Sequence, residues 1–324
     1  MSVVVDTPVA EELALIAGRG ALEDFWRRFR RDYVALVAAG FILLVILAAT
    51  AGAPLAAWAT GHPPNAQNLT GGVTIDGTPL PPWSRALQAD GIHPDPHGQL
   101  YVLGTDKLGR DILVRLFYGA RISLFVAFAA TGIALLIGVT LGMVAGYFRG
   151  KVDALISRAI ETAMAFPALL FAVGLAAVIG AGLGNVILVI ALFSWYYPAR
   201  MVRSAVLSLR ESAFVEAATM IGASHRRIMF KHLLPQLTAP LIVYATGVIA
   251  ANILFEAGLS YLGLGVPPPT ASWGQMLSDG VTNGLYRVQP WLALIPGLTL
   301  AAVMLSFQLL GDGLRDALAA KSAS

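Results

Sequence analysis

The sequence has 324 residues, of which 57% are hydrophobic and only 13% charged, with a mean hydropathy of +0.71. A soluble domain carries about 25% charged residues, so this composition excludes an ordinary water-soluble protein and indicates an integral membrane protein. There is no cysteine, which excludes disulfides and thiolate metal sites, and the net charge is only +3.

The N-terminal segment, 1–33, closes on Phe25-Trp26-Arg27-Arg28-Phe29-Arg30-Arg31. Phe25, Phe29 and Tyr33 recur at helical spacing among the arginines, which suits a helix lying in the headgroup region ahead of the first span. A span needs about 20 apolar residues to cross roughly 30 Å of hydrocarbon. Six stretches qualify, at about 34–58, 122–146, 155–180, 185–205, 237–264 and 290–311. The first is too long and too late for a cleaved signal peptide and is read as retained. Of the lysines and arginines, 16 fall on the face shared by both termini and six on the other. That bias expects both termini and the loop at 206–235 in the cytosol. The positive balance is therefore topological, and no nucleic-acid partner is expected.

Between spans one and two, residues 59–121 are rich in Pro, Gly, Asn and Asp and are expected to form an ordered extracytoplasmic loop. His93-Pro94-Asp95-Pro96-His97 brings two imidazoles and a carboxylate together, but no further ligand lies nearby and no metal site is assigned. The run Gly104-Thr105-Asp106-Lys107-Leu108-Gly109-Arg110-Asp111, leading into Leu116-Phe117-Tyr118-Gly119-Ala120-Arg121-Ile122-Ser123-Leu124, reads as an external turn and an interfacial helix.

The five-span core, 122–311, begins with Gly138, Gly142 and Gly146 at four-residue spacing. They clear one face for close helix packing, against a neighbour in this chain or in a partner. In span three, Arg158 and Glu161 are three apart and can pair, and Pro167 should kink the helix. The stretch from Glu216 to Pro235 is a polar island, in which Arg226, Arg227 and Lys231 together oppose insertion by about 9 kcal/mol. Its pattern is two short helices broken at Gly222. Phe214, Ala217, Ala218 and Ile221 fall on one side of the first, Ile228 and Leu233 mark the second, and Pro235 suits the first turn of the next helix. Span five carries Glu256, and its apolar residues supply about 4 to 5 kcal/mol, enough to insert one acid that opposes by about 3. Intramembrane acids face a cavity or a partner. A pathway-lining role and a buried, paired role both stay open, with Asn252 one turn away as a candidate hydrogen-bond partner. Gly150-Lys151 lacks the remaining residues of a P-loop, so no phosphate cradle is encoded.

The run Glu216-Ala217-Ala218, Gly222 and Leu234-Pro235 resembles the EAA loop of ABC importer permeases, the cytosolic segment that docks on ATPase subunits. The run 104–124 resembles the C-type permease subunit of dipeptide, oligopeptide and nickel ABC importers. So does Glu256 with Leu259-Ser260-Tyr261-Leu262-Gly263-Leu264-Gly265, Pro267-Pro268 and Trp273-Gly274. Trp291, Pro296-Gly297 and Leu310-Gly311-Asp312-Gly313-Leu314-Arg315-Asp316 make a third match, and Arg158, Glu161 and Phe166-Pro167 are similarly arranged. Family members often continue with an Asp-Pro pair, where this chain has Ala319-Ala320. The resemblance covers nearly all of the chain except about 60–100.

The resemblance implies an all-α, six-span type I ABC importer permease fold with an external loop insertion and a cytoplasmic tail at 312–324. It implies a multi-pass protein in the lipid of a bacterial or archaeal plasma membrane. Its partners would be a B-type permease, two ATP-binding subunits holding ATP and Mg, and an extracytoplasmic substrate-binding protein. This chain itself would bind no cofactor and catalyse nothing. Glu216 would contact the ATPase groove, Gly222 would permit the close turn, and ATP would rock the two permeases between inward-open and outward-open. The implied cargo is a di- or oligopeptide, with nickel chelates, glutathione-like peptides or other small solutes as alternatives. An ATP-independent secondary transporter is the competing class, although a proton-coupled carrier ordinarily has more mid-membrane ionisable residues than Glu256 alone. A membrane enzyme is the third class, but the spans show no nucleophile–base pair or metal-ligand set that would argue for it.

Overall fold

The computed structural model describes residues 21–319; the first twenty residues of the N-terminal segment and Ala320–Ser324 of the tail lie outside the described residues. The described residues are mostly helical, apart from a long non-helical loop between Thr60 and Ile112. Lipid offers no water to an unpaired backbone group, so spanning segments must satisfy themselves internally. Helix α1 (Ala21–Phe29) stacks Phe25 on Phe29 at 5.7 Å and seats Phe29 against Ala35 and Ala317. Asp32 then starts α2 (Tyr33–Thr60) by accepting the Ala35 amide hydrogen at 3.0 Å.

Helix α3 (Ile112–Phe148) runs 37 residues and begins ten residues before the expected start at 122. Asp111 sets that start: its carboxylate accepts from the amides of Leu113 and Val114 at 2.8 and 3.2 Å. Composition cut the span short at Arg115 and Arg121, but Arg115 is buried within the protein rather than exposed to lipid. Helices α4 (Gly150–Ala165) and α5 (Ala168–Ile179) meet at an 88° bend. The sequence expects one kinked span here. Pro167 removes a donor and forces Phe166 into extended backbone, φ −87° and ψ 137°, so the helix stops and restarts.

Helix α6 (Leu183–Leu209) returns along α3 and α4; α7 (Ala213–Met220) is a short connector. Helix α8 (His225–Tyr261) follows, then α9 (Trp273–Val281) and α10 (Trp291–Ala319). Among the described residues five helices are long and apolar enough to cross a membrane, or six if the bent α4–α5 pair forms one span. Large apolar side chains such as Leu44, Leu136, Val178 and Leu298 lie on the outside, where only an apolar solvent or another chain would cover them. The main core joins Ile42 and Val45 of α2, Leu124 and Ala127 of α3, Ile249 and Ile253 of α8, Trp273 of α9 and Val303 and Phe307 of α10.

The loop between α2 and α3 is built on a two-residue ladder. Strand β1 (Ser84–Arg85) pairs antiparallel with β2 (Leu100–Tyr101), Ser84 opposite Tyr101 and Arg85 opposite Leu100. Close backbone approach explains two of its glycines. A Cβ on Gly104 would meet Leu80 O at 2.4 Å and one on Gly109 would meet Asn68 O at 2.0 Å, and both have positive φ. The loop is tied to the helices by Asp106, whose carboxylate accepts from Arg110 Nε at 2.6 Å and lies 3.5 Å from Arg115. Asp279 of α9 receives Lys107 Nζ at 2.9 Å and Arg110 at 3.4 Å. In the His93–His97 run, His93 Nδ1 lies 2.6 Å from Asp90 and the Asp95 carboxylate accepts the backbone amide of His97. Among the described residues no cluster of three or more His, Asp or Glu could hold a metal ion.

Candidate functional site

The polar island folds differently from the two separate short helices its pattern suggests. The first, α7, is separate, but the second is the beginning of α8 itself. Ser224 starts it by accepting the Arg227 amide hydrogen at 3.4 Å. The chain then passes through a wide π turn, Ile228–Leu233, and continues as α-helix from Leu234. Pro235 has no amide hydrogen to give the previous turn, and the shift to the wider bonding pattern just before it lets the helix run on. Gly222 makes the break between α7 and α8 with φ +78°, a left-handed conformation that only glycine adopts without strain.

The expected apolar side of α7 is also rearranged. Val215 and Ala218 are the buried pair, packed with Ile228, Met229 and Leu233. Phe214, Glu216, Ala217 and Ile221 are exposed. An eight-residue helix has room to bury only one narrow stripe. The remainder is an uncovered apolar surface: Met220 is 82% and Ile221 85% exposed, and Phe230 of α8 is exposed beside them. Leu234 is half-buried and Pro235 exposed, so the six residues singled out by the sequence do not share one environment. Beside this surface, Tyr147, Arg210, Glu211, Glu216 and His225 line a cleft of about 510 Å³. Tyr147 Oη lies 2.9 Å from His225 Nδ1, and Arg149 donates to Glu211 at 2.6 Å, joining the end of α3 to the segment leading into α7.

The second group of polar residues is inside the helix bundle. Glu256 of α8 is 0% exposed. Its carboxylate accepts from Ser123 Oγ of α3 at 2.9 Å and from Ser260 Oγ, one turn on, at 2.7 Å. Ser123 Oγ in turn accepts the Trp273 amide hydrogen at 3.2 Å, so one node fastens α3, α8 and α9 together. Asn252 is not its partner. That amide donates to Thr131 of α3 at 2.9 Å and accepts from Ser194 of α6 at 2.9 Å, because each polar side chain on this face of α8 meets a different hydroxyl of the neighbouring helices. The sequence places Ser123 and Ser260 in family-like runs without a role and does not single out Thr131 or Ser194, since all four look like ordinary small residues of a packed span. Their signal was the spacing of Glu256 and Ser260, four apart on one face.

The three glycines of α3 pack within this chain. A Cβ on Gly138, Gly142 or Gly146 would meet the α6 backbone at 2.6 Å from Trp195 O, 2.5 Å from Ala199 O and 2.8 Å from Arg203 O respectively. The α4 helix joins the same corner, where Asp153 takes a two-pronged contact from Arg203. Arg158 and Glu161 do pair, at 3.2 Å on the exposed side of α4.

Residues 138–323 match the family described as binding-protein-dependent transport system inner membrane component, and residues 20–82 match the N-terminal TM domain of oligopeptide transport permease C. The chain is 45% identical to the dipeptide transport system permease protein DppC of Alkalihalophilus pseudofirmus, over 68% of this chain and 72% of that one. It is 36% identical to the glutathione transport system permease protein GsiD of Pectobacterium atrosepticum, over 91% of this chain and 89% of that one. Among solved structures, an inward-facing MetNI methionine ABC transporter gives a TM-score of 0.52 at 21% identity, over 63% of this chain and 96% of the matched chain. At that identity the likeness establishes the fold alone.

Proposed function

The chain belongs to the binding-protein-dependent transport system inner membrane components, the permease subunits of ABC importers, and from that premise we propose that it forms half of the translocation pathway for di- or oligopeptides. In this family the permease is not catalytic and ATP is hydrolysed on separate subunits. The peptide cargo is supported by relatives named for dipeptide and glutathione transport, glutathione being itself a peptide.

The assembly we infer contains a second, B-type permease, two ATP-binding subunits that hold ATP and Mg, and an extracytoplasmic binding protein. Both termini and the loop at 206–235 face the cytosol, and the loop at 59–121 faces outward, in a bacterial or archaeal plasma membrane. The observation that carries this reading is the uncovered surface of α7. Glu216, Ala217, Met220 and Ile221 stand exposed at the tip of a helix pair rooted in the bundle through Val215, Ala218 and Leu233. An apolar ridge with one acid suits a groove on a partner subunit. Closing two ATPase domains would draw α7 with them, and α8 would carry the motion into the bundle as one of two packed arrangements.

The test is to tag this chain, extract it in mild detergent and identify its companions, then add peptide-loaded binding protein and measure ATP hydrolysis. Co-purification of a second permease and ATPase subunits, with hydrolysis stimulated by loaded binding protein, is the expected outcome. A chain that purifies alone under conditions that preserve other importers, with uptake that follows the proton gradient instead of ATP, refutes it.

A further inference from the structure

The face of α6 that the rest of the chain leaves uncovered is polar. From Phe193 to Leu209 the exposed residues are Tyr197, Arg200, Ser204 and Ser208, while Ala199, Val202 and Val206 are buried. The exposed four are spaced three or four apart and share one side of the helix. A lipid-facing helix shows the opposite pattern, because polar side chains in spans turn toward the protein interior or a water-filled cavity. Met201, the next residue after Arg200, lines a cleft of about 330 Å³ with Pro240 and Tyr244 of α8 and Arg315 of α10.

Arg200 gives this face its chemistry. Five residues, about 8 Å of helix, separate it from the end of the expected span at 205. Its guanidinium does not reach toward that end, as a snorkelling arginine would. Nη1 instead lies 3.8 Å from Met164 Sδ, and Met164 is nine residues, about 13 Å, beyond the start of its expected span at 155. Among the described residues Arg200 belongs to no ion pair. A lone arginine facing lipid at such a depth opposes insertion by up to about 3 kcal/mol, so water, solute or another chain must face it.

We infer that Arg200 is a specificity-determining residue of the pathway, holding the carboxylate of a passing peptide on a polar track continued by Tyr197 and Ser204. The inference rests on the importer reading above. A single carboxylate on a partner permease would satisfy Arg200 alone, but it leaves the hydroxyls without purpose. Hydroxyls spaced over seven residues, about 10 Å, from Tyr197 to Ser204 offer the successive weak contacts that a moving solute requires. The acid in the same spans, Glu256, is sealed away from this face, so the charge presented to a solute here is the cation.

The chain has no cysteine, so Tyr197→Cys and Ser204→Cys each place one thiol on it within the full complex. A charged, water-soluble thiol reagent should modify both at least about tenfold faster than Leu136→Cys on the outer, apolar face of α3, a gap that corresponds to ~1.4 kcal/mol of accessibility. In proteoliposomes containing all partner subunits and ATP, Arg200→Gln should slow uptake of a dipeptide about tenfold, the loss of one charge-assisted hydrogen bond. Uptake of the same dipeptide amidated at its C-terminus, once shown to load the binding protein, should be unchanged, and Arg200→Lys should recover part of the loss. Equal slowing of both peptides, or thiols that stay unreactive, would overturn the inference in favour of a carboxylate on the partner permease. Failure of the importer reading looks different, since wild-type complex would then show no uptake and no ATP hydrolysis in response to loaded binding protein.

Discussion

At the scale of single residues, what decides a position is the atom that would have to move. Gly142 has backbone on its open side: an added Cβ would sit 2.5 Å from Ala199 O and 3.0 Å from Arg203 N. Neither can yield without shifting α6. Gly142→Ala should therefore destabilise by about 1–3 kcal/mol, while Gly132→Ala in the same helix, with nothing within 4 Å, should be neutral or slightly stabilising. Thermal unfolding of the two variants in detergent compares them directly, and a Gly142→Ala protein as stable as wild type removes the packing account. The four-residue spacing of these glycines was legible in the sequence; that their neighbour is α6 of the same chain was not, since spacing describes one surface and says nothing of what lies on it. Glu256 is the converse case, a rare residue easily seen whose partners are the commonest kind. Since Ser123 and Ser260 both donate to it, Glu256→Leu leaves two buried hydroxyls without their acceptor and should cost about 2–4 kcal/mol. Glu256→Gln keeps an acceptor and should leave the dependence of uptake on peptide charge unaltered. A charge dependence that changed in Glu256→Gln would return this acid to the pathway.

At the scale of elements, the boundaries moved where a cap or a proline outweighed hydropathy. Hydropathy cannot see that Asp111 caps a helix ten residues upstream of the apolar run, nor that a buried Arg115 is answered by carbonyls of Pro64 and Pro269 at 3.1 and 3.4 Å. Pro167 was seen, but the size of its effect depends on Phe166 and on how α5 packs against α6, which are tertiary facts. The 88° bend is measurable. Spin labels at Leu155→Cys and Val178→Cys would lie about 35 Å apart on a straight helix, and a clearly shorter separation is expected; about 35 Å would show one continuous span. The α7–α8 turn makes the opposite demand, for space rather than packing. Gly222 has positive φ, and a Cβ added there would meet nothing within 4 Å. Gly222→Asp should thus fold and insert at a cost of about 1–2 kcal/mol for the left-handed backbone, yet lose ATP-driven uptake because the exposed face beside it is altered. Uptake at the wild-type rate would detach this turn from coupling.

At the scale of the whole molecule, the two ends of the bundle are built on different principles. One end is closed by charge: Asp106, Arg110, Arg115, Lys107 and Asp279 bind the loop to the start of α3 and to α9. The other end is left open, with α7 exposing Met220 and Ile221. Helix α8 joins them, rooted beside α7 at Leu233 and fastened to α3 and α9 through Glu256 and Ser123. A displacement of α7 would thus have a continuous helix to travel along and a fixed frame at the opposite end of the bundle to work against, provided the frame does not yield. That condition can be tested at Asp106, the carboxylate on which both buried arginines converge. Asp106→Asn removes the opposing charge from Arg110 and Arg115, which are 4% and 2% exposed, and leaves Asp279 to answer Arg110, and the neutral carbonyls of Pro64 and Pro269 to answer Arg115. Breaking a buried pair from one side typically costs about 3–5 kcal/mol. The variant should show faster amide hydrogen exchange across 60–111 and earlier proteolysis of that loop, while the α7–α8 turn keeps its wild-type protection. Loss of protection confined to the loop would place the frame and the coupling end in separate cooperative units; unchanged exchange across 60–111 would mean that the backbone ladder, not the charges, holds the outer end together.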